Sequence, residues 1–138
     1  MAETFELEIV TPDRLVVKDV AEEMQIPGAN GYLGILPGHA PLITELAVGA
    51  ITYRTAGTVT RLCVAWGFAE VLPDKVTILA ETAERAEEID VARAQRAHDR
   101  AEQWLKSNDP NVDYKRAEEA HMRAEARLHV AQTTAANK

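Results

Sequence analysis

From Thr82 onward the chain holds no glycine and a single proline, Pro110; all seven glycines and the other five prolines lie at or before Pro73. This break limits the fold more than any other feature. Glycine permits positive φ and close backbone approach, and proline fixes φ and removes a donor, so a segment dense in both turns often. A segment without them, rich in Ala, Glu, Arg, Gln and Leu, favours long helices. The sequence therefore reads as two units, a β-domain over residues 1–85 and a helical domain over residues 86–138. Charge divides at the same place. Residues 1–81 carry 11 acids against 5 bases, and residues 82–138 carry 11 against 10.

In the first unit, residues 5–9, 61–66 and 75–79 alternate apolar and polar, with looser runs at 20–27 and 48–54. Turn signals at Pro12-Asp13, Pro27-Gly28, Pro37-Gly38, Ala56-Gly57 and Pro73-Asp74 recur at short spacing. Such punctuation predicts a flattened β-sandwich or barrel of about ten short strands. In the second unit, Ala94, Ala97, Ala101, Trp104 and Leu105 recur three and four apart, predicting a helix over 89–106. Asp113 is placed to cap a second helix reaching about Gln132, with Ala117, Ala120, Ala124, Leu128 and Ala131 on one face. The short polar link between them predicts an antiparallel helical hairpin. Its seam is mostly alanine, which buries little area at about 25 cal/mol per Å². The hairpin is therefore expected to dock elsewhere, on the sandwich or on another protein, and to be releasable.

Composition excludes several classes. A net charge of −7 and a pI near 5.1 leave no basic footprint for nucleic acid. The longest uninterrupted apolar run covers eight residues, 62–69, against the ~20 a spanning helix needs. No charged-then-apolar leader opens the chain, so a reducing compartment is expected, with membrane association only through a protein partner. Cys63, the single cysteine, sits in an apolar run and reads as a buried small hydrophobe.

Residues 31–42 concentrate three glycines and two prolines among Leu33, Ile35, Leu36 and Leu42. They read as strand, tight turn, strand, with His39 presented on the turn. This arrangement, G-x-L-G-I-x-P-G-H-x-P-L, together with the runs at 7–12, 66–71, 74–80 and 89–94, resembles the epsilon subunit of bacterial and chloroplast F-type ATP synthases over nearly the full chain. The resemblance implies a non-catalytic central-stalk subunit. Its sandwich would contact the gamma subunit on one side and the membrane c-ring on the other, helping couple proton flow to rotation. Its hairpin would permit ATP hydrolysis when folded on the sandwich and inhibit it when extended toward the alpha and beta catalytic subunits. The place implied is the cytoplasmic face of a bacterial plasma membrane, or alternatively the stromal face of a thylakoid. The family's ring contact falls around Tyr32 and His39. Tyr32 stands where many relatives carry an acid, and His39 reads either as contact surface or as a residue that only completes the turn.

Some members bind ATP on the folded hairpin through an I/L-D-x-x-R-A motif. Here it is Ile89, Asp90, Arg93 and Ala94. The resemblance extends the set to Glu84, Arg100, Arg123 and Arg127. Guanidinium forks suit phosphate oxygens, and Asp90 or Glu84 suits the adenine amino group or the ribose. The plainer reading makes Asp90 a helix cap and Asp90–Arg93 a surface pair worth about 0–1 kcal/mol. No G-x-x-x-x-G-K-[ST] loop occurs, so ATP, with or without Mg, would be sensed here rather than hydrolysed. Lys115, Arg116, Arg123 and Arg127 would meet acidic segments of the beta subunit in the extended state. Two other readings compete. One is a stand-alone ATP-sensing or adaptor module. The other is a metal-dependent cupin-like oxygenase, which needs ligands clustered on strands, whereas only His39 of the four histidines falls in the β half.

Overall fold

A computed structural model of the chain describes residues 3–136; the two residues at either end of the expected domain spans lie outside it. Eight strands come first: β1 (Phe5–Val10), β2 (Leu15–Ala21), β3 (Glu23–Gly28), β4 (Gly31–Ile35), β5 (Leu42–Leu46), β6 (Gly49–Thr55), β7 (Thr58–Val71) and β8 (Lys75–Arg85). A single 3-10 turn, Ala86–Glu88, leads to α1 (Val91–Lys106) and α2 (Tyr114–Ala136).

Eight strands occupy the space for which turn spacing suggested about ten, because β7 and β8 each serve two layers. The first half of β7 pairs with β6 and its second half with β5, while β8 pairs with β7 from Leu62 to Val71, across both halves. One layer is thus β2-β1-β8-β7-β5 and the other β4-β3-β6-β7-β8, and β1 lies parallel to β8. β7 passes between the layers by bending at Trp66 and Gly67, whose φ values are 51° and 120°. A Cβ on Gly67 would stand 2.0 Å from the Leu79 carbonyl oxygen, so only glycine fits. The loose run at 20–27 likewise divides at Glu22, where the chain changes layer.

The alternating residues meet in one core: Leu7 and Ile9, Leu62 and Val64, and Val76 and Ile78 are all fully buried. Residues 31–42 do form strand, turn and strand. Their two strands pair with different partners, β4 with β3 and β5 with β7, so the segment is a crossover between layers.

In the helical unit the carboxylate of Asp90 accepts the Arg93 backbone N–H at 3.0 Å, and Asp113 accepts that of Arg116 at 3.1 Å. α1 therefore begins at Val91, leaving Ile89 outside it. α2 continues past Gln132 because no glycine or proline stops it. Ala94, Ala101, Ala117 and Ala124 are buried in the seam. Trp104, expected on that face, is 43% exposed. A seam set by alanines leaves no room for an indole, and its ring lies instead against the Arg100 guanidinium at 5.9 Å.

α2 rests on β6 and β7, and α1 packs on α2. The docking cluster is small: Cys63, Ala86, Ile89 and Val130, with Ala50, Ala126 and Ala131 around it. Only Ile89 and Val130 are large, each contributing about 1.5–3 kcal/mol by burial. Cys63 behaves as expected for a buried thiol. Burial pushes its pKa up to about 11 despite the nearby Arg127.

Candidate functional site, a cleft between hairpin and sandwich

Where the end of β8 meets the hairpin, a cleft of about 310 Å³ opens. β8 supplies Glu84, the 3-10 turn Glu88, the cap Asp90, α1 Arg93, Ala94, Ala97 and Arg100, and α2 Arg127. Six of the eight residues expected to contact nucleotide thus line one space. Arg123 lines the adjoining groove of about 660 Å³, which shares Ala97, Arg100 and Arg127 with the cleft. The Ile89 side chain points away from the cleft, into the docking cluster.

The electrostatics follow from who is already paired. Arg127 Nε donates to Glu84 Oε1 at 2.5 Å, with both side chains about one-third exposed or less. Asp90 is engaged by the start of α1. Glu88 accepts the Arg85 backbone N–H at 3.0 Å and both oxygens face Arg14 Nη2, at 2.9 and 3.2 Å. The Arg85 N–H first, and then Arg14, hold its carboxyl below the ordinary value. Arg93 and Arg100 make no ion pair among the described residues. Every carboxylate in the cleft therefore has a partner, and two guanidinium groups do not. Guanidinium forks without a carboxylate partner suit phosphate oxygens.

Arg123 lies over the Trp66 ring at 5.5 Å. The bend that carries β7 between layers thus also presents an aromatic face to α2. The expected Asp90–Arg93 surface pair is a bond to the Arg93 backbone, leaving that side chain free. Sequence reasoning passed over Glu88, Ala97 and Trp66. Glu88 had a usable signal, since a glutamate three residues beyond a turn's first position completes a capping box. Trp66 had none, because its partner is far along the chain.

Tyr32 and His39 lie outside this cleft. The Tyr32 hydroxyl accepts the Ala50 N–H at 3.0 Å while its ring is 57% exposed. A Cβ on Gly49 would come within 2.5 Å of that hydroxyl, so Gly49 lets tyrosine lie flat there. His39 closes its turn, its N–H bonding Leu36 O at 3.1 Å and its Nδ1 lying 2.7 Å from Ala40 O.

A β-sandwich carrying a docked pair of helices is the two-domain architecture of the ATP synthase Delta/Epsilon chain. The model for that chain's beta-sandwich domain matches residues 4–86, and the model for its long alpha-helix domain matches residues 87–132. The ATP synthase epsilon chain of Koribacter versatilis is 74% identical over 110 residues, covering 80% of this chain and 78% of that one. The epsilon chain of Solibacter usitatus is 48% identical over 131 residues, covering 95% and 98%. This chain belongs to the ATP synthase epsilon chain family, whose members are non-catalytic subunits of the complex. Among solved structures, a chain of the Euglena gracilis mitochondrial ATP synthase (OSCP/F1/c-ring, rotational state 1) superposes with a TM-score of 0.73 at 22% identity. It covers 99% of this chain and 82% of that one. A chain of the Tetrahymena thermophila central stalk/c-ring structure gives 0.55 at 14% identity, covering 94% and 95%. At these identities the likeness concerns the fold.

Proposed function

We propose that this chain is the central-stalk subunit that seats its sandwich between gamma and the c-ring, and whose hairpin acts as an ATP-responsive brake on hydrolysis. The family and the central-stalk origin of its structural neighbours support the stalk position. The bacterial relatives favour the cytoplasmic face of a plasma membrane over a thylakoid. No described helix is long and apolar enough to cross a membrane, so the subunit is held there by its partners. Family membership weighs against a stand-alone ATP-sensing module, and co-purification with the large ATPase complex separates the two.

One observation carries the regulatory reading: β8, α1 and α2 all contribute to a cleft with two unpaired guanidinium groups. Phosphates held by Arg93 and Arg100, with Arg127 and Arg123 at its flank, tie both helices to the sandwich. Glu84 and Asp90 are the acceptors for an adenine amino group or ribose. Nucleotide at 100 times its Kd stabilises the folded state by about 2.7 kcal/mol. Moving an equilibrium from 1:99 to 99:1 needs about 5.5 kcal/mol. ATP therefore biases the hairpin and does not command it alone; contacts of the extended helices with gamma and the catalytic subunits supply the rest. In that extended state Lys115, Arg116, Arg123 and Arg127 face acidic segments of beta.

Calorimetry of the intact chain tests the site. Mg-ATP is expected to bind, with affinity reduced at least tenfold by Arg100→Ala or Arg123→Ala. No heat at millimolar Mg-ATP, or full binding by both variants, overturns it. Deleting residues from Asp90 onward is expected to raise ATPase activity of the reconstituted complex; unchanged activity counts against the brake.

A further inference from the structure

Away from the cleft, three side chains converge across the helical seam. His98 of α1 faces His121 and Glu125 of α2, the latter two one turn apart. The His98 and His121 rings lie 4.5 Å apart, centroid to centroid. Nε2 of each sits 3.6 Å from the same oxygen, Oε1 of Glu125. All three ligand atoms fall within 4.8 Å of one another.

We propose that this is a divalent transition-metal site, of the kind Zn²⁺ fills, that clamps the two helices together. The dimensions carry the argument. A tetrahedral zinc with bonds of about 2.0–2.1 Å places its ligand atoms roughly 3.3–3.4 Å apart. The two nitrogen-to-oxygen separations already approach that edge. Two imidazoles and one carboxylate favour borderline ions such as Zn²⁺ or Co²⁺ over Mg²⁺ or Ca²⁺, which prefer oxygen alone. The fourth position is left for water.

The surroundings of His98 point the same way. Its other nitrogen, Nδ1, lies 3.5 Å from Asp99 Oδ1 and 3.6 Å from Glu102 Oε2. A carboxylate accepting the Nδ1 proton fixes the tautomer with Nε2 free to ligate and raises its basicity. Lys106 holds the remaining oxygen of Glu102 at 3.4 Å. Asp99 and Glu102 therefore serve as orienting groups. With His98 Nδ1 their oxygens also form a group of ligand atoms within 4.8 Å, drawn from α1 alone. His121→Gln separates the two, since metal held by α1 alone would bind that variant unchanged and would overturn the clamp.

Because each helix supplies at least one ligand, the metal binds only the closed hairpin. It therefore favours closure by the free energy of its binding. This inference stands apart from nucleotide, and its test contains none. The intact chain is titrated with Zn²⁺ by calorimetry and with Co²⁺ by visible absorption. One ion per chain is expected, with the d–d spectrum of a low-coordinate Co²⁺ centre. Affinity should fall at least about tenfold in His98→Gln, His121→Gln and Glu125→Gln, and by roughly 10-fold in Glu102→Gln through lost orientation. Helical circular dichroism identical to the parent shows that each variant is folded. No binding by the parent at millimolar metal overturns the site, as does binding that survives all three ligand substitutions.

Discussion

At Gly67 an added methyl group would stand 2.0 Å from the Leu79 carbonyl, and the φ of 120° is closed to other residues. Gly67→Ala should therefore destabilise the chain by at least about 2–3 kcal/mol, read as a drop in the urea midpoint. Arg127→Ala should behave oppositely. Its partner Glu84 is one-third exposed, so the pair is worth only about 0–1 kcal/mol. Stability should barely move while Mg-ATP affinity falls at least tenfold, a split that calorimetry and thermal melting together resolve. Glu88 gives the pH dependence. Its folded pKa lies below the ordinary 4.5, so its contribution is present above that value and lost as pH falls through the depressed one. The protection factor of the Arg85 amide, which bonds that carboxylate, should decline in the same acid window and be flat at neutral pH.

Among the elements, the strands and helices differ in what holds them. β7 and β8 bury Leu62, Val64, Val71, Val76 and Ile78 beside smaller residues, whereas α1 and α2 meet through alanines. Amide exchange should accordingly be faster in both helices than in β7 and β8; equal protection would contradict a releasable hairpin. Ala124→Leu should overpack the seam at a cost of about 1–3 kcal/mol, felt as faster exchange of α1 with the strands unchanged. Local patterns made most of this legible. Alternation marked the core residues of β1, β7 and β8, and Asp90 and Asp113 were readable as caps from type and place. The bend in β7 was not, because its cause is the approach of Leu79, twelve residues on. Trp104 was misplaced because periodicity records which residues are apolar and says nothing of the width of the gap they must fill.

Across the molecule, the change of composition at Thr82 announced two architectures, although β8 runs on to Arg85 before the helical unit begins. The cleft was partly legible: the family resemblance named its charged residues other than Glu88, and chain topology was needed to bring Glu84 to Arg127. Which guanidinium groups remain unpaired was beyond sequence, since that depends on the three-dimensional neighbours of each carboxylate. The docking interface supplies a direct reporter of the whole arrangement. Cys63, the single cysteine, lies beneath Ile89 and Val130 and is reachable by a thiol reagent only when the hairpin lifts. The labelling rate of Cys63 in the intact chain, followed across a Mg-ATP titration, should fall in step with cleft occupancy. A rate unchanged up to millimolar nucleotide would contradict the claim that ATP holds the hairpin on the sandwich.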